Sequence, residues 1–202
     1  MHNAALPALA ATALLLGPAM TPPPVGATNA ATTVPGQAAF APYQQPTDRY
    51  ARGSCLIDLS KIEDYTDRRK VGGCGTHITL STTFVKLSVP HTWRTWSCPP
   101  DSETCKPDLL YSDHGTTAAT IDFGTTVTTG GFALEPAYDH QPATVDFYTG
   151  PLGSGTLVGT ITRDVDSNAG ARLFAAKAKP GFRSAIVTTN PDGDFGIAQI
   201  RV

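Results

Sequence analysis

Residues 143–162 read ATVDFYTGPLGSGTLVGTIT, two alternating runs on either side of a loop that suits a reversing backbone. Val145 and Phe147 fall on one face of the first run and Thr144, Asp146 and Tyr148 on the other, the period of a half-buried strand. Gly150, Pro151, Gly153 and Gly155 supply the backbone freedom and the fixed φ of a turn. The second run is rich in β-branched residues. A hairpin of this kind is stable only with further strands and an apolar face behind it, so the rest of the chain is expected to be β.

Downstream and upstream of the hairpin the same pattern repeats. LLYS (residues 109–112), TAATIDF (117–123), GFALEP (131–136), ARLFAAKA (171–178), FRSAIVTT (182–189) and FGIAQIRV (195–202) read as short strands. They are separated by turn clusters, Thr129-Gly130 and Pro180-Gly181 among them. With 19 Gly and 17 Pro, this spacing predicts an all-β fold, an antiparallel jelly-roll-like β-sandwich. Its expected inward residues are Ile121, Phe123, Phe132, Leu134, Val145, Phe147, Leu157, Ile161, Phe174, Ile186, Phe195 and Ile197. Earlier in the chain SCLIDL (54–59) reads as a strand and THITLSTTFVKLSV (76–89) as two β-rich runs. Ser60 and Glu63 form a capping-box pattern that predicts one short helix over residues 61–69.

Residues 1–30 have a secretory signal layout, an apolar run from Ala4 to Leu16 followed by Gly17, Pro18 and a proline run, with small residues at Ala27 and Ala30. That run is shorter than the roughly 20 residues a membrane span needs. Residues 31–50, rich in Ala, Pro, Gln and Thr, read as a flexible leader. Residues 51–202 then form a single β-sandwich domain, and the localisation expected is secreted or extracellular.

The formal charge of −2 excludes the concentrated basic surface that nucleic acid requires. Cys55, Cys74, Cys98 and Cys105 are even in number and follow a signal-like segment, which favours two disulfides. Pairing Cys55 with Cys74 and Cys98 with Cys105 closes two short local loops. No C-x-x-C pair or Cys/His ligand spacing supports zinc.

The run from Thr117, TIDFGTTVTTGGFALEP with TVDFYTG, LVGTIT, GARLFAA, FRSAIVTT and FGIAQIRV after it, resembles the C-terminal half of uncharacterised bacterial exported proteins with a jelly-roll-like β-sandwich, of the type associated with PEP-CTERM sorting signals. The resemblance covers residues 117–202 and implies a fold rather than a reaction. It carries no catalytic residues over. No sorting motif follows the last strand here, so free secretion is expected rather than retention at a surface.

Chemistry is sparse. No G-x-S-x-G or H-E-x-x-H occurs. Glu135 and Asp146 are the carboxylates a secreted hydrolase would use, because they are expected on neighbouring strands. Asp164, Asp166 and Asn168, and likewise Asn190, Asp192 and Asp194, place oxygen ligands at alternate positions and make calcium the candidate cofactor. Trp93 and Trp96 lie beside the Cys98–Cys105 loop and could stack on a sugar ring, with Arg94 and His91 as polar handles. The leading expectation is a secreted, non-catalytic β-sandwich that binds carbohydrate or another extracellular surface such as a cell-surface polymer. A carboxylate-dependent hydrolase and a purely structural extracellular component are the alternatives.

Overall fold

The computed structural model describes residues 39–113, 115–189 and 193–202. Among these residues nine antiparallel strands make one continuous sheet: β1 (Phe40–Tyr43), β2 (Asp67–Gly73), β3 (Thr76–Ser88), β4 (Asp108–Ser112), β5 (Ala118–Pro136), β6 (His140–Tyr148), β7 (Leu157–Asp166), β8 (Arg172–Thr188) and β9 (Phe195–Arg201). Three of them are long, and each changes partner along its length. The first part of β5 pairs with β3 and with residues 184–188 of β8, while its second part pairs with β9 and with residues 172–177 of β8. Similarly β3 leaves β5 for β4 after Leu80.

These changes fold the sheet into two layers. Layer one runs β7, β6, the end of β8, the start of β5, the start of β3 and β2. Layer two runs β1, the start of β8, the end of β5, β9, β4 and the end of β3. The all-β, sandwich-like architecture is therefore as the sequence predicts, but its strands are longer. Thr129-Gly130 and Pro180-Gly181, read as turns, are bends inside β5 and β8 that lie near each other across the ladder. Gly131, at φ 144°, shows why a bend needs glycine: a Cβ there would collide with the Phe174 carbonyl and Ala175.

Phenylalanines from both layers fill the space between them. Phe147 of layer one meets Phe182 at 4.8 Å and Phe40 of layer two at 5.6 Å. Fully burying one such ring is worth about 1.5–3 kcal/mol. Two expected inward residues do not take part. Leu157 is 37% exposed, because the ladder shifts register between Phe147 and Tyr148 and turns Val158 inward instead. Ile186 is half-buried and faces Gly153 in the hairpin turn, while Val187 enters the core.

The N-terminal part differs most from expectation. No helix forms over residues 61–69; β2 begins at Asp67 and residues 61–66 are turns and bends. An α-helix lies earlier, α1 (Asp48–Arg52), where the Thr47 hydroxyl accepts the Tyr50 N–H at 3.2 Å. β1 and the first three residues of α1 fall within the span read as a flexible leader. β1 pairs with β8, and Tyr50 is fully buried against Tyr43, Leu173 and Ala175 on the outer face of layer two. Residues 54–59 form no strand beyond a single bridge, Leu56 with Arg201. Residues 1–30 and 31–38, the expected signal and the first part of the leader, lie outside the described residues. Both disulfides form as paired from the sequence, Cys55–Cys74 and Cys98–Cys105, the mark of an extracellular type of protein. Among the described residues no helix is long and apolar enough to cross a membrane.

Candidate functional site

The outer face of layer two is apolar, and a sheet face of this kind must be covered. Leu87, Leu109, Ala133 and Ala198 project from four strands there. The connection between β3 and β4, residues 89–107, folds down over them. Trp96 is its plug: the side chain is 3% exposed, and the indole N–H donates to Ser102 Oγ at 3.1 Å. Ser102 in turn donates to Gln199 Oε1 at 3.0 Å. Trp96 is thus a core residue, and the expectation that it offers a stacking surface is corrected.

The loop is pinned at its start by a buried charge. Lys86 is 4% exposed and lies 2.7 Å from Asp64 and 2.6 Å from Asp108. Burial disfavours the ammonium, yet the bonds to Asp108 and Asp64 outweigh it and hold the lysine above its ordinary value. Burial likewise opposes the Asp64 carboxylate, and donors from Lys86, Ser88 and Thr92 reverse the balance and hold it below the usual range. Ser88 and Thr92 bring the loop's first turn onto Asp64.

Beyond that turn lies Glu135, on β5 and completely buried. Its Oε1 accepts the Trp93 indole N–H at 3.1 Å. Thr95 Oγ1 lies 3.4 Å from the same oxygen and 3.1 Å from the Ser167 carbonyl, so its single proton is shared between them. Oε2 is buried without a hydrogen-bond partner. Burial pushes the carboxyl up to about 8, against the donors Trp93, Thr95 and the Ala171 N–H, which favour the charged form. Trp93 itself is half-buried, with its ring 5.4 Å from that of Tyr111. The Tyr111 hydroxyl donates to Asp194 Oδ2 at 3.2 Å, and burial, then the Asp194 charge, raise that phenol above its ordinary value.

His91 and Arg94 are exposed on either side of Trp93. Three of the four expected ligand-binding residues, His91, Trp93 and Arg94, therefore remain at or near the surface of one loop segment. The expected carboxylate pair is not assembled. Asp146 lies on β6 opposite Thr160 and Ile186 in layer one, whereas Glu135 lies opposite Gly196 in layer two. β5 and β6 are not paired.

The expected calcium ligands among the described residues have these settings. Asp164 is exposed on β7. Asp166 caps the Asn168 N–H at 2.8 Å and stands 3.8 Å from His140. Asp194 is 7% exposed and engaged by Tyr111 and by the Thr116 N–H at 2.7 Å. Asn190 and Asp192 lie outside the described residues. Among the described residues no three His, Cys, Asp or Glu side chains come together as a metal would require.

Lys86, Tyr111, Thr95 and Gln199 carry the loop's architecture and were not singled out from the sequence. One signal pointed to part of it: Lys86 in FVKLSV and Glu135 in GFALEP are lone charges inside apolar runs.

No family model matches the sequence, and no curated protein matches it. Among solved structures the chain is similar to the enzymatically active domain of tailspike protein 4 of bacteriophage CBA120, at 14% identity over 77% of this chain and 21% of that one. This chain thus spans about a fifth of that one's length, and a TM-score of 0.30 is too low to carry even a shared fold.

Proposed function

We propose that the chain is a secreted binding module without a reaction of its own, and that it recognises carbohydrate or a comparable extracellular polymer through the His91–Trp93–Arg94 segment. The observation that carries this reading is the presentation of Trp93. Its indole is fixed at one end by Glu135 and packs on Tyr111, while the two flanking polar side chains reach solvent. A ring held in place loses little freedom when a sugar stacks on it, and an adjacent guanidinium supplies hydrogen bonds to hydroxyls. Two disulfides suit an extracellular setting.

The hydrolase reading lacks support, because Glu135 is closed off beneath the loop and Asp146 belongs to the other layer. Glycan-array and cell-wall pull-down measurements on the purified chain test the binding reading. Retention of at least one glycan class is expected, with Arg94→Ala and His91→Ala each weakening it several-fold at unchanged stability. No retention by the wild type, or retention indifferent to both variants, overturns it; the former outcome leaves the structural-component alternative.

A further inference from the structure

We propose that Glu135 is a pH-sensitive latch for the disulfide-bridged loop: while it keeps its proton residues 93–95 stay closed over layer two, and when it ionises they lift, with Trp96 remaining seated. The latch lies in the loop that carries the proposed binding surface but does not depend on any ligand being bound there.

The geometry of the carboxyl is asymmetric. Besides the Ala171 N–H, which also favours the charged form, the carboxyl's donors are the loop's Trp93 and Thr95; both meet Oε1, while Oε2 is buried without a hydrogen-bond partner among the described residues. A neutral carboxyl tolerates this environment; a carboxylate with one unsolvated, unpaired oxygen does not. Two kinds of structure surround the group and they differ in strength. Beneath it, β5 is held by ladders to β8 and β9. Above it, the Trp93 N–H donates to the Ser88 carbonyl at 3.0 Å, and the other described hydrogen bonds holding residues 93–95 down involve side chains, Thr95 to Ser167 and the Ala169 N–H to Thr95. The loop is the part that can yield.

Among the described residues no neighbouring cation relieves the charge. From β7 comes Asp166, itself an anion and 3.8 Å from His140 of β6. Asp194, ahead of β9, and Tyr111 of β4 are bonded to each other. Arg172 of β8 is engaged by Ser97, by the Ala171 carbonyl and by Asp101 at 3.6 Å. On the loop itself, Arg94 and His91 face solvent.

Burial holds the closed-state value near about 8, against 4.5 for a solvated glutamate. Opening the loop admits water and returns the carboxyl toward the lower value. Between the two, each pH unit therefore multiplies the ratio of open to closed loop by about ten, and the rise levels off above about pH 8.

Hydrogen exchange of the Trp93 indole N–H, followed by NMR on the intact chain and corrected for intrinsic exchange, reads this ratio directly. In the wild type the opening equilibrium at Trp93 is expected to rise about tenfold per pH unit from pH 5.5 to 8, and to exceed that of the core amides of β5 and β8 at least tenfold at pH 8. In Glu135→Gln it is expected to be independent of pH. Histidine also changes charge in this range, so His140→Gln is measured beside it and is expected to keep the wild-type profile. Thr95→Val retains the carboxyl but removes a donor to its charged form, and the levelling-off should move to higher pH; this variant decides the matter if Glu135→Gln does not fold. The latch is overturned by a pH-independent opening in the wild type, by the wild-type profile persisting in Glu135→Gln, by its loss in His140→Gln, by an unmoved profile in Thr95→Val, or by Trp93 opening only as often as the core amides.

Discussion

Trp93 and Glu135, 42 residues apart, meet through one hydrogen bond of 3.1 Å that ties the β3–β4 loop to the sheet beneath it. The carboxyl binds its proton more tightly in the folded chain than in the unfolded one, with values of about 8 and 4.5. Between those values the folded state holds more protons, so stability falls as pH rises. It is fully present below about 4.5 and lost by about 8, with a ceiling of about 1.4 kcal/mol per pH unit. Urea unfolding at pH 5 and pH 8.5 is expected to show the lower midpoint at the higher pH. Glu135→Gln should remove most of that difference; an unchanged difference would place its origin elsewhere.

Asp64 has the opposite sign. Its folded value lies below the ordinary 3.8, so its contribution is present above that value and disappears as pH falls through the folded one. Acid unfolding should therefore steepen below about pH 4. Lys86→Ala leaves Asp64 and Asp108 facing each other across the vacated site and is expected to cost about 2–3 kcal/mol, less than for a fully buried pair because both carboxylates are partly solvated. Chemical denaturation at pH 7 measures it, and a loss below about 0.5 kcal/mol would show the cluster to be a surface ion pair in effect.

Removing the N-terminal segment tests where the folded domain begins. Phe40 lies 5.6 Å from Phe147, and Tyr43 lies 5.0 Å from Tyr50. Phe40→Ala is expected to cost about 3 kcal/mol, and a chain beginning at Ala51 to melt many degrees lower than one beginning at Ala39. Equal melting temperatures for the two would return β1 and α1 to the status of a leader.

Each disulfide closes a short loop, of sequence separation 19 for Cys55–Cys74 and 7 for Cys98–Cys105. Chain entropy alone assigns about 3 kcal/mol to the first and about 2.5 to the second. Paired Cys→Ser variants should order the same way in thermal unfolding. Loss of the Cys98–Cys105 bridge should in addition increase exchange at the Trp96 indole, since Ser102, its acceptor, lies inside that loop.

The β class was legible because alternation survives in any strand, bent or straight. What alternation does not encode is continuity. Residues 117–123 and 131–136 read as two strands and are one, since Gly130 and Gly131 carry the same local signature in a bend as in a turn. The same holds for residues 171–178 and 182–189 around Pro180 and Gly181. Leu157 was misassigned because a register shift is a property of two strands at once. The disulfides were readable from the even count of cysteines after a signal-like segment, with short spacings favouring the pairing that forms. Glu135 was visible as a charge in an apolar run, but its partner was not, because Trp93 arrives from a loop whose path only the packed sheet determines.

β9, the last strand in chain order, lies between β4 and β5 in the middle of layer two. During synthesis, then, β4 and the end of β5 wait with one edge each unpaired until residues 195–201 have emerged. β1 likewise waits for residues 175–178 of β8. Closure of layer two is consequently a late event: its first strand and its central one are both completed by segments far downstream, and until those arrive the open edges are exposed, association-prone surfaces.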